Sequence, residues 1–211
     1  MSSAASLASR RADLAQRLIL DAGIDLLEHA GAGELTMRGV AAGAGISERT
    51  VFRYFGSRDE LLDAIAQEAT RRMTLPPDPA SVAALFAYPA ALFERFEATA
   101  ALTRAALHPD IFHRIRTTEA KRRWKAIEAL LDVAAPDRTV RERRLAAANI
   151  RYHLSATSWN YFRAYFGFSP ADAIAAAQLA VAQALRALGI DDPALVPGDH
   201  GGRDAAPRRR R

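Results

Sequence analysis

The segment SERTVFRYF, Ser47 to Phe55, places Arg49 and Arg53 beside Thr50, Tyr54 and two phenylalanines. Arginine carries a planar fork of donors that grips two acceptors at once, which suits a guanine edge or a phosphate. On a helical wheel at about 100° per residue, Val51 and Phe55 fall about 40° apart and form an anchoring stripe. Arg49, Thr50 and Arg53 cluster on the other side, and Phe52 and Tyr54 flank the stripe. One face would hold the helix in a core while the other offers guanidinium groups and a hydroxyl. That chemistry suits nucleic acid. The plain alternative is an amphipathic surface helix with solvated arginines, and the flanking sequence must decide between them.

Other chemistries find little support. His108 and His113 are five residues apart, off the spacing that shares a helix face, and neither they nor His153 sit in a carboxylate pattern. There is no cysteine, hence no disulfide and no thiolate metal site. Neither a Gly-x-Ser-x-Gly motif nor a phosphate-binding loop occurs. No enzyme, cofactor or metal is expected.

The elements that must position the arginines are helical. Leu14, Leu18, Ala22 and Leu26 make an i, i+4 stripe, and His29-Ala-Gly-Ala-Gly ends that helix. Thr36 is an N-cap for a short helix carrying Met37, Val40, Ala41 and Ala44. Gly45-Ile46 makes a turn, Ser47 caps the next helix and Gly56 ends it. Ser57 and Glu60 then form a capping box for a helix to about Met73. So short a turn is the length expected between the two helices of a helix-turn-helix, whose second helix enters the major groove.

Leu75-Pro-Pro-Asp-Pro79 breaks the pattern. Beyond it the periodicity predicts helices at about 81–99, 101–107, 110–134, 139–166 and 170–188, with Pro89 kinking or restarting the first. Ser169, Pro170 and Asp172 make a strong start for the last. No alternating strand pattern stands out. The expectation is an all-α chain of about nine helices: a three-helix DNA-binding domain over 1–57, a helical domain over 58–190 and a disordered tail over 191–211.

The chain has 211 residues, half of them apolar, enough for a buried core. No apolar run approaches the roughly 20 residues needed to span a bilayer, and the N-terminus lacks the apolar core of a signal peptide. These absences point to the cytoplasm and away from a membrane. Net charge is a modest +5. Its placement matters more: residues 36–58 hold four Arg against one Glu, and residues 104–144 hold eleven Lys/Arg against six Asp/Glu. Arg10-Arg11 and the tail Arg208–Arg211 are candidate DNA arms, since each neutralised phosphate adds salt-sensitive affinity. The excess of Arg over Lys, 27 to 2, fits a GC-rich genome better than any function.

The segments Thr36-Met-Arg-Gly-Val-Ala, Ala44-Gly-Ile-Ser, Thr50-Val-Phe-Arg-Tyr-Phe and Ser57-Arg-Asp-Glu-Leu-Leu62, in this order, closely resemble the DNA-binding domain of the tetracycline-repressor (TetR) family. The resemblance covers about residues 10–65; after that only the helical layout is similar. It implies a regulator that binds a palindromic double-stranded operator as a homodimer and, most often, is a repressor released by a small apolar or amphipathic ligand. It further implies that Thr36 touches phosphate, that Arg38 reaches phosphate or a base, and that Ser47, Arg49 and Thr50 read bases or clamp the backbone. Arg53 joins that set from the wheel. Tyr54 matches a phosphate contact, as does Arg58, which replaces the usual Lys. Phe52 departs from a common Tyr, which removes a hydroxyl. Gly39 and Gly43 lie inside the second helix, each costing up to about 1 kcal/mol against Ala.

In the C-terminal half, Phe93, Phe96, Trp124, Tyr152 and Trp159 are core residues or, as the resemblance implies, the lining of a ligand cavity. Asn149, His153 and Asn160 would be polar anchors there. The last helix, PADAIAAAQLAVAQALRAL, is apolar over most of its circumference. Together with helix 139–166 it is expected to make a four-helix interface with a second copy, with Ala177 and Val181 in it. The rival readings are a ligand-independent DNA-binding dimer and a helical enzyme or adaptor with a vestigial DNA domain.

Overall fold

The computed structural model describes residues 2–29, 35–115 and 120–191, and for residues 2–8 the backbone alone. Within them the chain is helical with no strand. In chain order the helices are α1 (Ser2–His29), α2 (Met37–Gly43), α3 (Glu48–Phe55), α4 (Arg58–Met73), α5 (Val82–Ala98) and α6 (Ala100–Ala105). There follow α7 (Pro109–Ile115), α8 (Lys121–Ala134), α9 (Val140–His153), α10 (Ala156–Asn160), a π-helical turn (Tyr161–Tyr165) and α11 (Pro170–Ala187).

Small polar caps set most starts, because the first N–H groups of a helix need acceptors. The N–H of Thr50 donates to Ser47 Oγ at 3.2 Å, that of Glu60 to Ser57 Oγ at 3.2 Å, and that of Ala84 to Ser81 Oγ at 3.1 Å. Thr139 with Glu142 and Ser169 with Asp172 form reciprocal capping boxes.

Two hydrophobic cores result. The first joins α1–α4 with α6 and α7, around Ile19, Val40, Val51, Leu62, Ile65, Leu102 and Ile111. The second joins α5 and α8–α11, around Leu85, Phe93, Leu131, Ile150, Trp159 and Val181. Leu75, half-buried in the proline-rich link, packs against both. The division of the core therefore does not follow the boundary expected at 57–58: α4, α6 and α7 complete the N-terminal core.

Several expectations change. Leu14 and Leu18 are 57% and 42% exposed, and the buried stripe of α1 runs instead through Ile19, Ala22, Ile24 and Leu27. Pro89 is buried inside α5 and does not end it. The helix expected at 110–134 is described as α7 and α8, and that at 139–166 breaks at Leu154, where Ser155 caps α10. Ala177 and Val181 are fully buried in their own protomer's core, so they are not free to form an interface. The tail over 191–211 lies, beyond Asp191, outside the described residues, as does the Ala-Gly-rich end of α1 past His29.

Candidate nucleic-acid interface

α3 is held by Val51, fully buried, and Phe55, 7% exposed, against α1, α2 and α4. The turn before it closes with the N–H of Ile46 donating to the carbonyl of Ala41 at 3.0 Å, and its Gly45 sits at φ +66°, where a side chain is strained. Gly43 has a different reason. A Cβ there would lie 3.2 Å from the Cβ of Ala22, so the glycine lets α2 lie close on α1. The helix-propensity cost noted for this position is thus offset by packing.

With the anchors buried, α2 and α3 leave a polar set outside. Thr36, Arg38, Ser47, Arg49 and Arg53 are exposed, and Thr50 and Tyr54 are half-buried. Thr36 Oγ1 accepts from the N–H of Gly39 at 3.0 Å, and the hydroxyls of Ser47 and Thr50 lie 2.8 Å apart. Both hydroxyls stand at helix N-termini, where N–H groups and the helix dipole favour an anion. The guanidinium of Arg53 lies 5.1 Å from the centre of the Tyr54 ring, which orders it without using its donors. No described carboxylate pairs with Arg38, Arg49 or Arg53. The set is positioned, cationic and unspent.

Arg58 is placed differently. Its Nε donates to the carbonyl of Leu35 at 2.8 Å and its Nη2 to Asp110 on α7 at 2.7 Å. Beside it, Arg114 of α7 reaches Asp59 and Asp63, each at 2.5 Å. Arg58 thus clips α4 to α7, with donors turned to the protein rather than to a phosphate. Sequence reading missed this clip because nothing local to Ser57–Leu62 points to Asp110.

In the second half, the aromatic residues expected to line a ligand cavity are spread between the core and the surface. Phe93, Phe96 and Trp159 are at most 3% exposed and pack in sequence at tilted angles, with ring centres 5.9 Å apart from Phe93 to Phe96 and 5.8 Å from Phe96 to Trp159. The indole N–H of Trp159 donates to Glu97 at 2.8 Å, and Arg163 reaches the same carboxylate oxygen at 2.6 Å. Trp124 is half-buried with the Arg144 guanidinium 5.5 Å from its ring. Asn149 and Tyr152 are exposed. His153 is half-buried between the rings of Tyr152 and Phe162, and burial holds its imidazole below the usual histidine range. A void beside Tyr88, Arg123 and Ile127 has about 10 Å³, room for a single water. A larger groove of about 380 Å³ lies elsewhere, between α1, α6, the turn into α7, and α10. Its lining, including Glu28 and Arg104, carries no periodic signal; only helix packing brings it together. Among the described residues no cluster of His, Asp and Glu is arranged to hold a metal, and no helix is long and apolar enough to cross a membrane.

Comparison with known proteins agrees with this geometry. Residues 19–65 match the profile of bacterial regulatory proteins of the tetR family. Uncharacterised helix-turn-helix-type transcriptional regulators from two strains of Mycobacterium tuberculosis are 39% identical over 67 residues, 32% of this chain and 33% of theirs. The match thus spans about a third of those relatives' length. A TetR-like transcriptional regulator from Rhodococcus sp. RHA1 shares the fold at a TM-score of 0.58 and 21% identity, over 84% of this chain and 97% of that one. A second regulator from the same organism aligns at 0.56 and 20%, over 81% and 96%. The helix-turn-helix, with its capped and glycine-turned frame, makes residues 19–65 similar to the DNA-binding part of bacterial regulatory proteins of the tetR family, and the fold as a whole is similar to that of TetR-like regulators.

Proposed function

We propose that the protein binds a palindromic operator in double-stranded DNA as a homodimer and represses transcription in the cytoplasm until a small apolar or amphipathic ligand releases it. The observation that carries the reading is the exposed set Thr36, Arg38, Ser47, Arg49 and Arg53, with half-buried Thr50 among them, presented by α2 and by α3, whose opposite face is anchored by Val51 and Phe55. Arg49 and Arg53 take base edges; Thr36, Ser47, Thr50 and Tyr54 position the backbone. Arg38 serves either.

The dimer is supported by a face on α9 and α11. Leu145, Asn149 and Tyr152 follow one another at helical spacing and are exposed, and Leu179 on the adjoining α11 is 47% exposed. Large apolar groups gathered on an exposed face mark a protein interface. A two-fold pair fits a palindrome, with recognition helices about 34–36 Å apart. The reading assigns the chain no catalysis.

Selection of binding fragments from a random DNA pool by the purified protein tests this. Recovery of an inverted repeat with half-sites about one helical turn apart is expected. Uniform recovery of all sequences overturns it. The closed packing of Phe93, Phe96 and Trp159 favours one rival, a dimer that binds DNA with no effector. An operator affinity that no small molecule alters would select that rival.

A further inference from the structure

The groove of about 380 Å³ is of the size that holds small molecules and opens where the two halves of the chain meet. α1, from the DNA-binding half, contributes Leu27 and Glu28; the α6–α7 segment contributes Arg104, Leu107 and His108; α10 contributes Asn160. Three features point to a ligand. The side-chain oxygen of Asn160 is buried with no hydrogen-bond partner, a costly state that an incoming N–H donor relieves. Arg104 has no described carboxylate partner, and its guanidinium lies 5.5 Å from the centre of the Trp159 ring. Glu28 likewise has no described cation partner, and it does not pair with Arg104. A cation, an anion and an unmet acceptor thus share one groove with an apolar wall.

We propose that this groove is an effector site for a small zwitterion with an apolar side group, such as a hydrophobic amino acid or dipeptide. Its carboxylate pairs with Arg104, its ammonium donates to Asn160 and Glu28, and its side group lies on Leu27 and Leu107. Charge-assisted bonds of this kind are strong and directional. The ligand bridges α1 to α6 and α10, so it favours one seating of the DNA-binding half on the other. The effect on DNA rests on the ligand-released reading above; the site itself does not.

The test uses the full chain with Trp124→Phe, which leaves Trp159 as the one tryptophan, since the sequence has two. L-leucine, L-phenylalanine and the leucyl-phenylalanine dipeptide are titrated while Trp159 emission is followed. Saturable binding by at least one is expected. Its N-acetyl and its amide forms, each lacking one charge, should bind at least tenfold more weakly. Arg104→Ala and Asn160→Leu should each weaken binding at least tenfold, and Ala101→Phe, which fills the groove without adding a tryptophan, should block it. Ala101 lines the groove and is exposed, so that variant tests the site even if Asn160→Leu fails to fold. Absence of binding by all three probes overturns the proposal, as does binding unchanged in Arg104→Ala and Ala101→Phe. The effect on selected operator DNA is then read separately. A fall of at least fivefold with the bound probe is expected, within the usual range of allosteric coupling. Groove binding with no change in operator affinity keeps the site and defeats the release reading. Operator release that survives Ala101→Phe does the reverse.

Discussion

On α2, α3 and their caps the exposed groups include Thr36, Arg38, Ser47, Arg49 and Arg53, beside Glu48 and Phe52; on α9, α11 and around the π-turn the exposed large apolar groups include Leu145, Tyr152, Tyr161, Tyr165, Phe166 and Leu179. Both regions rest on helices packed through fully buried aliphatic residues, Val51 and Ile65 in one, Leu131, Ile150 and Val181 in the other. They differ in how the outside is finished. The first face keeps cations unpaired and hydroxyls at helix starts, which suits a charged, hydrated partner. The second leaves rings stacked on one another, Tyr161 on Tyr165 at 4.7 Å and Phe162 on Phe168 at 5.9 Å, which suits an apolar one. The buried interior holds each half together, and the exposed finish assigns its partner.

The sharpest way to separate interior from finish is on α11. Val181→Asp buries an unpaired charge and should cost more than about 4 kcal/mol, seen as loss of the thermal transition. Leu179→Glu, two residues away and 47% exposed, should leave the melting temperature near wild type and shift sedimentation toward monomer. A folded, merely monomeric Val181→Asp protein would break the distinction.

On the first face, Arg49→Ala and Arg53→Ala should each cost about 1–3 kcal/mol of operator affinity where a bidentate base contact is lost, and relax preference at one position of the site. Binding-site selection with each variant measures this. Unaltered preference in both would remove base reading from α3.

Arg58 tests whether a cation near the DNA face belongs to it. Because its donors are turned to Leu35 and Asp110, Arg58→Ala should lower stability by about 1–2 kcal/mol. The salt slope of DNA binding should stay as it is. A slope flattened by about one unit would return Arg58 to the phosphate set.

The smallest effect is in acid. Glu68 accepts from Arg71 and Arg72, and these hydrogen bonds, Arg71 first, pull its carboxyl down to about 2 from an ordinary 4.5 despite opposing burial. A carboxylate lowered on folding stabilises the native state above its unfolded value. That contribution should therefore be whole above about pH 4.5 and fade as pH falls toward about 2. Glu68→Gln should lower stability at neutral pH, where the contribution is whole, and flatten this part of the profile, so that its deficit shrinks in melts as pH falls toward about 2.

The DNA-binding half was legible because its signals are local. Ser47, Ser57 and Thr36 cap within three residues, Gly45 needs a positive φ, and Val51 and Phe55 fall on one stripe, so the stretch from Thr36 to Ser57 carries its own geometry. The second half resisted for the opposite reason. Phe93, Phe96 and Trp159 are equally good core or cavity residues by type, and only the fit of α5 against α10 and α11 decides. Ala177 and Val181 misled in the same way, since a helix rich in alanine has no contrasting face to mark its inside. Glu28 and Arg104 lie far apart in the chain and carry no common pattern.

The two cores are threaded through one another: after α1–α4 the chain enters the second core with α5, returns to the first with α6 and α7, and leaves again with α8. A gene fragment ending at residue 57 or 73 would therefore lack Leu102, Ala105, Ala106 and Ile111, which complete the N-terminal interior. The DNA-reading part is not a detachable module. Chimeras that swap it between relatives have to carry α6 and α7 with it or rebuild the surface those helices cover. The same interleaving would let mutations accepted in α6 and α7 alter DNA affinity, although neither helix carries any residue assigned to DNA.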